Sequence, residues 1–208
     1  MTMPGLPTAA LLALATLLAA CAQPAATADT AVPMAAANAH DAQQQFFDAI
    51  ARRCGEAFGG RLVSTDAADA DMAGQTMVMH ISKCSADEIR IPFHVGDDRS
   101  RTWVLSRVAP GLRLKHDHRH ADGSEDAITR YGGDTVKPGS ATRQEFPADA
   151  QSIALFTANA MQVSNGNVWA VEVDDKRFAY ELRRQGRWFR VEFDLTHALA
   201  PPPAAWGA

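Results

Sequence analysis

From Val168 to Leu195 the chain alternates apolar and charged residues with a period of two, a pattern suited to an antiparallel sheet with one face buried. Val168-Trp169-Ala170-Val171 leads to a turn at Asp174-Asp175-Lys176. Phe178, Tyr180 and Leu182 then alternate with Arg177, Glu181 and Arg183, and Gln185-Gly186 supplies a second turn. Beyond it Phe189, Val191, Phe193 and Leu195 alternate with Trp188, Arg190, Glu192 and Asp194. Three such runs with turn residues between them form a meander. Residues 76–83, 88–95, 102–108, 112–120 and 127–131 read the same way, with Gly, Asp and Ser between them. Residues 149–163 leave helix and strand open, since Ile153, Leu155 and Phe156 suit either.

One helix precedes the strands. From Asp41, the residues Phe46, Phe47, Ile50, Ala51 and Cys54 recur at helical spacing, and Gly59-Gly60 stops the run. Eight or nine sequential strands in one domain must have their edges managed, and closing the sheet does so most simply. The expected fold is therefore mainly β: an antiparallel up-and-down, calycin-like barrel of about 8–9 strands, with the N-terminal helix packed on one end. A two-sheet β-sandwich is the alternative.

The N-terminal residues set the address. Ala9 to Ala20 are Leu and Ala with one Thr, the length of a signal-peptide h-region and too short for a membrane span. The run closes on Leu18-Ala19-Ala20-Cys21, which resembles a bacterial lipobox, although no Lys or Arg precedes the h-region. Residues 1–20 are thus expected to be a lipoprotein signal peptide, with Cys21 the site of lipidation. A small-residue stretch, 21–40, forms a disordered tether. The domain spans 41–199, and 200–208, opening on Pro201-Pro202-Pro203, is a flexible tail. Ala22 after the cysteine implies, by resemblance to other lipoproteins, delivery to the outer membrane, facing the periplasm. The membrane is then a partner through the lipid anchor.

Of the three cysteines, Cys54 and Cys84 remain once Cys21 is set aside. In an oxidising compartment such a pair is expected as a disulfide. A chain of 208 residues, less its signal, suits one domain with a real core. The net charge of −4 offers no basic footprint, and with export this excludes nucleic acid as a partner.

Only Leu112-Arg-Leu-Lys-His-Asp-His-Arg-His120 gathers residues with chemistry. On a strand His116, His118 and His120 share the face of Leu112 and Leu114. Ala109-Pro110-Gly111 suits a three-residue hairpin loop, placing Val104 opposite His116 and Thr102 opposite His118. The two-residue alternative, setting Arg107 against Leu114, matches less well. Asp122-Gly123 signals a two-residue loop that pairs His120 with Glu125, His118 with Ala127, His116 with Thr129 and Leu114 with Tyr131. The shared face then grades from apolar to polar, as the mouth of a ligand-holding barrel would. Its candidate ligand-binding residues are Thr102, Val104, Leu114, Thr129 and Tyr131. Imidazoles two apart on a strand stand about 7 Å apart and can converge on one ion. His116, His118, His120 and Glu125 are thus candidate ligands for zinc or copper, and a solvated mixed-charge strand is the competing reading.

Other signals are weaker. Met77 and Met79 offer thioethers to copper(I) or fill the core. Arg183, Arg184, Arg187 and Arg190 suit anionic headgroups or cross-strand pairs with Glu181 and Glu192. Gly132-Gly133 reads as a turn. There is no nucleophile elbow, His-Glu-x-x-His or Ser-x-x-Lys. The Lys-His-Asp-His-Arg-His and Phe-Ala-Tyr-Glu-Leu-Arg-Arg stretches resemble a family of secreted proteobacterial lipoproteins, a resemblance that covers the domain and implies no activity. The expected function is non-enzymatic binding of a small molecule inside the barrel, in a cavity lined by Val104, Leu114, Phe178 and Phe189. The alternatives are a metal-binding or metal-dependent protein, and a structural lipoprotein with a filled core.

Overall fold

The computed structural model describes residues 1–2 and 34–208, so nearly all of the expected signal peptide, the lipobox-like run with Cys21 and most of the expected tether lie outside the described residues. In chain order the elements are α1 (Met34–Ala51), β1 (Ala57–Leu62), a 3-10 helix (Ala67–Met72), β2 (Met77–His80), β3 (Lys83–Cys84), β4 (Glu88–Val95), β5 (Asp98–Val108) and β6 (Gly111–His118). There follow β7 (Tyr131–Asp134), β8 (Arg143–Pro147), α2 (Ala150–Ala158), a second 3-10 helix (Gln162–Gly166), β9 (Val168–Val173), β10 (Arg177–Arg184) and β11 (Arg187–Leu199).

The strands form one antiparallel sheet in the order β7-β6-β5-β4-β2-β1-β11-β10-β9-β8, with β3 paired to β4 off that path. It curls into a nearly closed barrel. The fold class is the one expected, but the strand count is eleven rather than eight or nine. Gly59-Gly60 does not end the helix; it lies inside β1, paired with β2 and β11. Residues 76–83 divide into β2 and β3, and β8 is new. Residues 149–163 resolve as helical, because the Asp149 carboxylate caps α2 by accepting the Ser152 N–H at 2.8 Å.

The two ends of the sheet meet through α2. Asp149 N–H donates to the Gly132 carbonyl at 3.0 Å, and the Ser152 hydroxyl accepts the Gly132 N–H at 2.7 Å. Gly132-Gly133 is therefore not a turn but the middle of β7, squeezed between β6 and β8. A Cβ at Gly132 would overlap the Leu114 carbonyl, and one at Gly133 the Pro147 carbonyl. Gly132 also has φ of 150°, a backbone region that favours glycine.

Both hairpins flanking β6 differ from expectation. Val108 pairs with Gly111, so the β5–β6 loop holds two residues, Ala109 and Pro110. Trp103, not Val104, lies opposite His116, and Arg101, not Thr102, opposite His118. This register turns Trp103 and Leu105 inward, burying more apolar area than Thr102 and Val104 would. After β6, His120 N–H donates to Ser124 C=O at 2.9 Å, and Arg119 rather than His120 bridges Glu125. That loop holds three residues, Ala121-Asp122-Gly123, with Gly123 at φ 86°. Residues 127–130 then leave the ladder, and His116 pairs with Tyr131.

α1 plugs one end of the barrel with Phe46, Phe47 and Ile50, each at most 1% exposed. The Arg107 guanidinium lies 4.0 Å from the Phe47 ring, and Arg53 donates to the Leu195 carbonyl at 3.2 Å. Inside, Phe58, Leu105, Leu114, Trp169, Phe178 and Phe193 fill the space. Each such burial stabilises by roughly 1.5–3 kcal/mol. Met77 and Met79 are part of this core. The Cys54–Cys84 disulfide ties the end of α1 to β3 across 30 residues, constraining the unfolded chain by about 3–4 kcal/mol.

On the outer face of β8–β11 the arginines meet carboxylates. Arg183 pairs with Glu145 at 2.8 Å, and Arg190 with Glu172 at 2.7 Å and Glu192 at 2.9 Å. After Leu199 the tail returns to β5, where Trp206 N–H donates to the Arg99 carbonyl at 3.1 Å.

Candidate functional site

The end of the barrel away from α1 carries a pocket of about 160 Å³. The sheet builds it without special devices. Phe93 closes the inward row of β4, Trp103 and Arg101 sit two apart on β5, and His116 and His118 two apart on β6. Tyr180 and Leu182 come from β10 and Phe189 from β11, while Tyr131 opens β7. The first 3-10 helix adds Met72 and Asp69 at the rim, where Asp69 and Asp66 both hold Arg187.

The floor is aromatic. Trp103 is stacked between Phe93, at 4.8 Å between ring centroids, and Tyr180, at 4.4 Å. His116 stacks on Tyr131 at 4.6 Å. Its hydrogen bonds fix its tautomer: Nδ1–H donates to the Tyr131 carbonyl at 3.1 Å, so Nε2 accepts from the Tyr180 hydroxyl at 2.7 Å. Only 2% exposed, His116 is held neutral by burial, which pushes its pKa down to about 3. Burial raises the Tyr131 and Tyr180 hydroxyls in turn. His118 also titrates low, first through burial and then through the Arg101 charge, and its Nε2 lies 3.2 Å from the Tyr131 hydroxyl.

The sequence-derived residues divide accordingly. Tyr131, His116 and His118 line the pocket, and so does Phe189. Thr102 and Val104 pair with Asp117 and Lys115 on the opposite face of the sheet. Leu114 and Phe178 are core residues below the pocket. Thr129 leaves the ladder and accepts the His118 N–H through its hydroxyl at 2.8 Å. His120 is exposed, and Glu125 is engaged by Arg119 at 3.1 Å and by Arg130. The zinc or copper centre of His116, His118, His120 and Glu125 is therefore not assembled, because His116 has both nitrogens occupied and the other side chains diverge. Among the described residues no three or more His, Cys, Asp or Glu side chains converge on a common point.

Trp103, Arg101, Phe93, Tyr180, Leu182 and Met72 went unread as site residues. The signal for the first two lay in the alternation of β5, where Arg101, Trp103 and Leu105 share a face. A wider groove of about 520 Å³ between α1 and the β9–β10 turn has walls of Asp48, Arg53, Glu56 and Asp174. Those four are paired, with Arg107, Glu56, Arg53 and Arg177 respectively, while Arg52 and Asp175, also in its walls, make no ion pair among the described residues. Among known proteins, no family model matches this chain, and no curated protein or solved structure matches it.

Proposed function

We propose that this protein is a lipid-anchored protein of the cell envelope that holds a small, single-ring-sized molecule at the mouth of its barrel and performs no chemistry on it. The observation that carries this reading is the pocket of about 160 Å³ with an aromatic floor, at the one end of an otherwise filled barrel that α1 leaves open. A cavity of roughly 150 Å³ is enough for a benzene ring. The side chains present favour binding over catalysis: the lining has no Ser, Thr, Cys or Lys as a nucleophile for His118 to activate, and His116 has both nitrogens engaged. The ligand is not engulfed, since Leu114 and Phe178 occupy the depth of the barrel.

Ligand-observed saturation-transfer NMR on the purified full chain checks this with phenol and indole as probes. Both should receive saturation, and Leu182→Trp, which fills the pocket from β10, should abolish it without lowering the thermal midpoint by more than a few degrees. Absence of transfer from either ring would favour the filled-core structural lipoprotein, a reading supported by the packing below the pocket.

The anchor rests on Leu18-Ala19-Ala20-Cys21 and the apolar run before it. In cells, the protein should fractionate with membranes carrying a diacylglyceryl mass on Cys21, and Cys21→Ser should lose both. Membrane retention of Cys21→Ser without the lipid mass would refute this part.

A further inference from the structure

The pocket holds a guanidinium whose donors its protein partners do not exhaust. Arg101 faces inward from β5, two residues from Trp103 and opposite His118. One of its terminal nitrogens pairs with Asp98; its Nε and other terminal nitrogen have no hydrogen-bond partner among the described residues. Arg187, the second guanidinium in the lining, is by contrast held between two carboxylates, Asp66 and Asp69, and also donates to the Trp188 carbonyl. Asp126, Asp98 and Asp117 act on His118 from outside the lining, against the Arg101 charge. The aromatic pocket thus has the Nε and one terminal nitrogen of Arg101 with donors to spare, beside neutral imidazoles and un-ionised phenols.

Resting on the reading of this pocket as a ligand site, we propose that its ligand is a single-ring organic anion, a carboxylate on or next to an aromatic ring, with the ring on the aromatic floor and the carboxylate on the free edge of Arg101. Two parallel N–H donors on a planar guanidinium match the two oxygens of a carboxylate, which makes the contact directional as well as charged. The aromatic floor strengthens it by lowering the local dielectric beneath the half-buried guanidinium. The pocket volume limits the remainder of the ligand to about one ring. A cationic ring of the same size would meet Arg101 head-on, and a neutral one would leave those donors to water.

Affinities of the full chain for benzoate, benzyl alcohol and benzylamine, measured by competition in saturation-transfer NMR, separate the possibilities. Benzoate should bind at least about tenfold more tightly than benzyl alcohol, with benzylamine weakest. Arg101→Gln should lower benzoate to the level that benzyl alcohol shows in the same variant. Equal affinities for the three in the unaltered protein would overturn the charge selection and leave the ring pocket standing. Binding of none of them would overturn both. A benzoate preference that survives in Arg101→Gln would overturn the assignment to Arg101, and the comparison within the unaltered protein does not depend on how that variant folds.

Discussion

Alanine at Gly132 or Gly133 is expected to destabilise the barrel by about 3–5 kcal/mol, a large share of what a domain of this size has to lose. At Gly133 the added methyl would enter the Pro147 carbonyl, and at Gly132 that of Leu114. These are backbone atoms, which cannot rotate away as a side chain would. Gly132 adds the penalty of a φ near 150°, which a side chain disfavours. Both changes force β7 away from its neighbours and strip Gly132 of the contacts that close the sheet to α2. Urea denaturation reads the effect as a lower midpoint at unchanged slope. Gly166→Ala, with nothing within 4 Å of its new methyl, is the control and should stay within about 1 kcal/mol. A Gly133→Ala midpoint equal to that of Gly166→Ala would remove the tight seam from the account of the fold.

The second large effect is a loss of stability in acid that belongs to His116. Its folded pKa lies near 3, below the ordinary value of 6.5, so the unfolded chain takes up the proton first. The stability linked to it is complete above pH 6.5 and is lost as pH falls towards 3. The loss amounts to about 3 kcal/mol by pH 4 and roughly 4–5 kcal/mol when protonation is complete. Carboxylates held low by arginine, such as Glu172 and Asp117, contribute their own acid loss, mostly below pH 4. Comparing the native protein with His116→Gln isolates the imidazole, because those carboxylates are common to both. The drop in urea midpoint between pH 7 and pH 4 should be much smaller in His116→Gln. Equal drops would mean that His116 is not held neutral by its burial against Tyr131 and Tyr180.

How far the sequence reaches depends on whether side chains or backbone decide. β4, β10 and β11 are legible because every second residue is large and apolar, and their inward rows form the core as expected. The Cys54–Cys84 pair follows from counting. β7 and β8 are not legible: Gly132 and Gly133 have no side chains to alternate, and their place comes from a carbonyl packed against each. Register fails for a different reason. Thr102-Trp103-Val104-Leu105 is buried throughout, so period two does not mark which row faces in, and loop chemistry alone misassigned one residue at each hairpin. That single residue exchanged Thr102 and Val104 for Arg101 and Trp103, and with them the character of the pocket. The histidines were found because they cluster in sequence. Tyr180, which decides the chemistry of His116, lies 64 residues away and meets it only across the barrel.

The β1–β11 ladder differs from all the others in the span of chain it closes. Elsewhere, neighbours in the sheet are neighbours or near-neighbours in the chain and can zip as local hairpins. Ala57–Leu62 must instead find a strand whose paired residues run from Val191 to Leu199. Closing a loop of that length costs roughly 4 kcal/mol of chain entropy, which no local contact refunds in advance. Without that ladder the strands would be two separate ribbons of local hairpins, β1 to β7 and β8 to β11, so it is this long-range pairing that makes them one sheet. Substitutions across β1 and β11 are therefore expected to speed unfolding more than they slow folding.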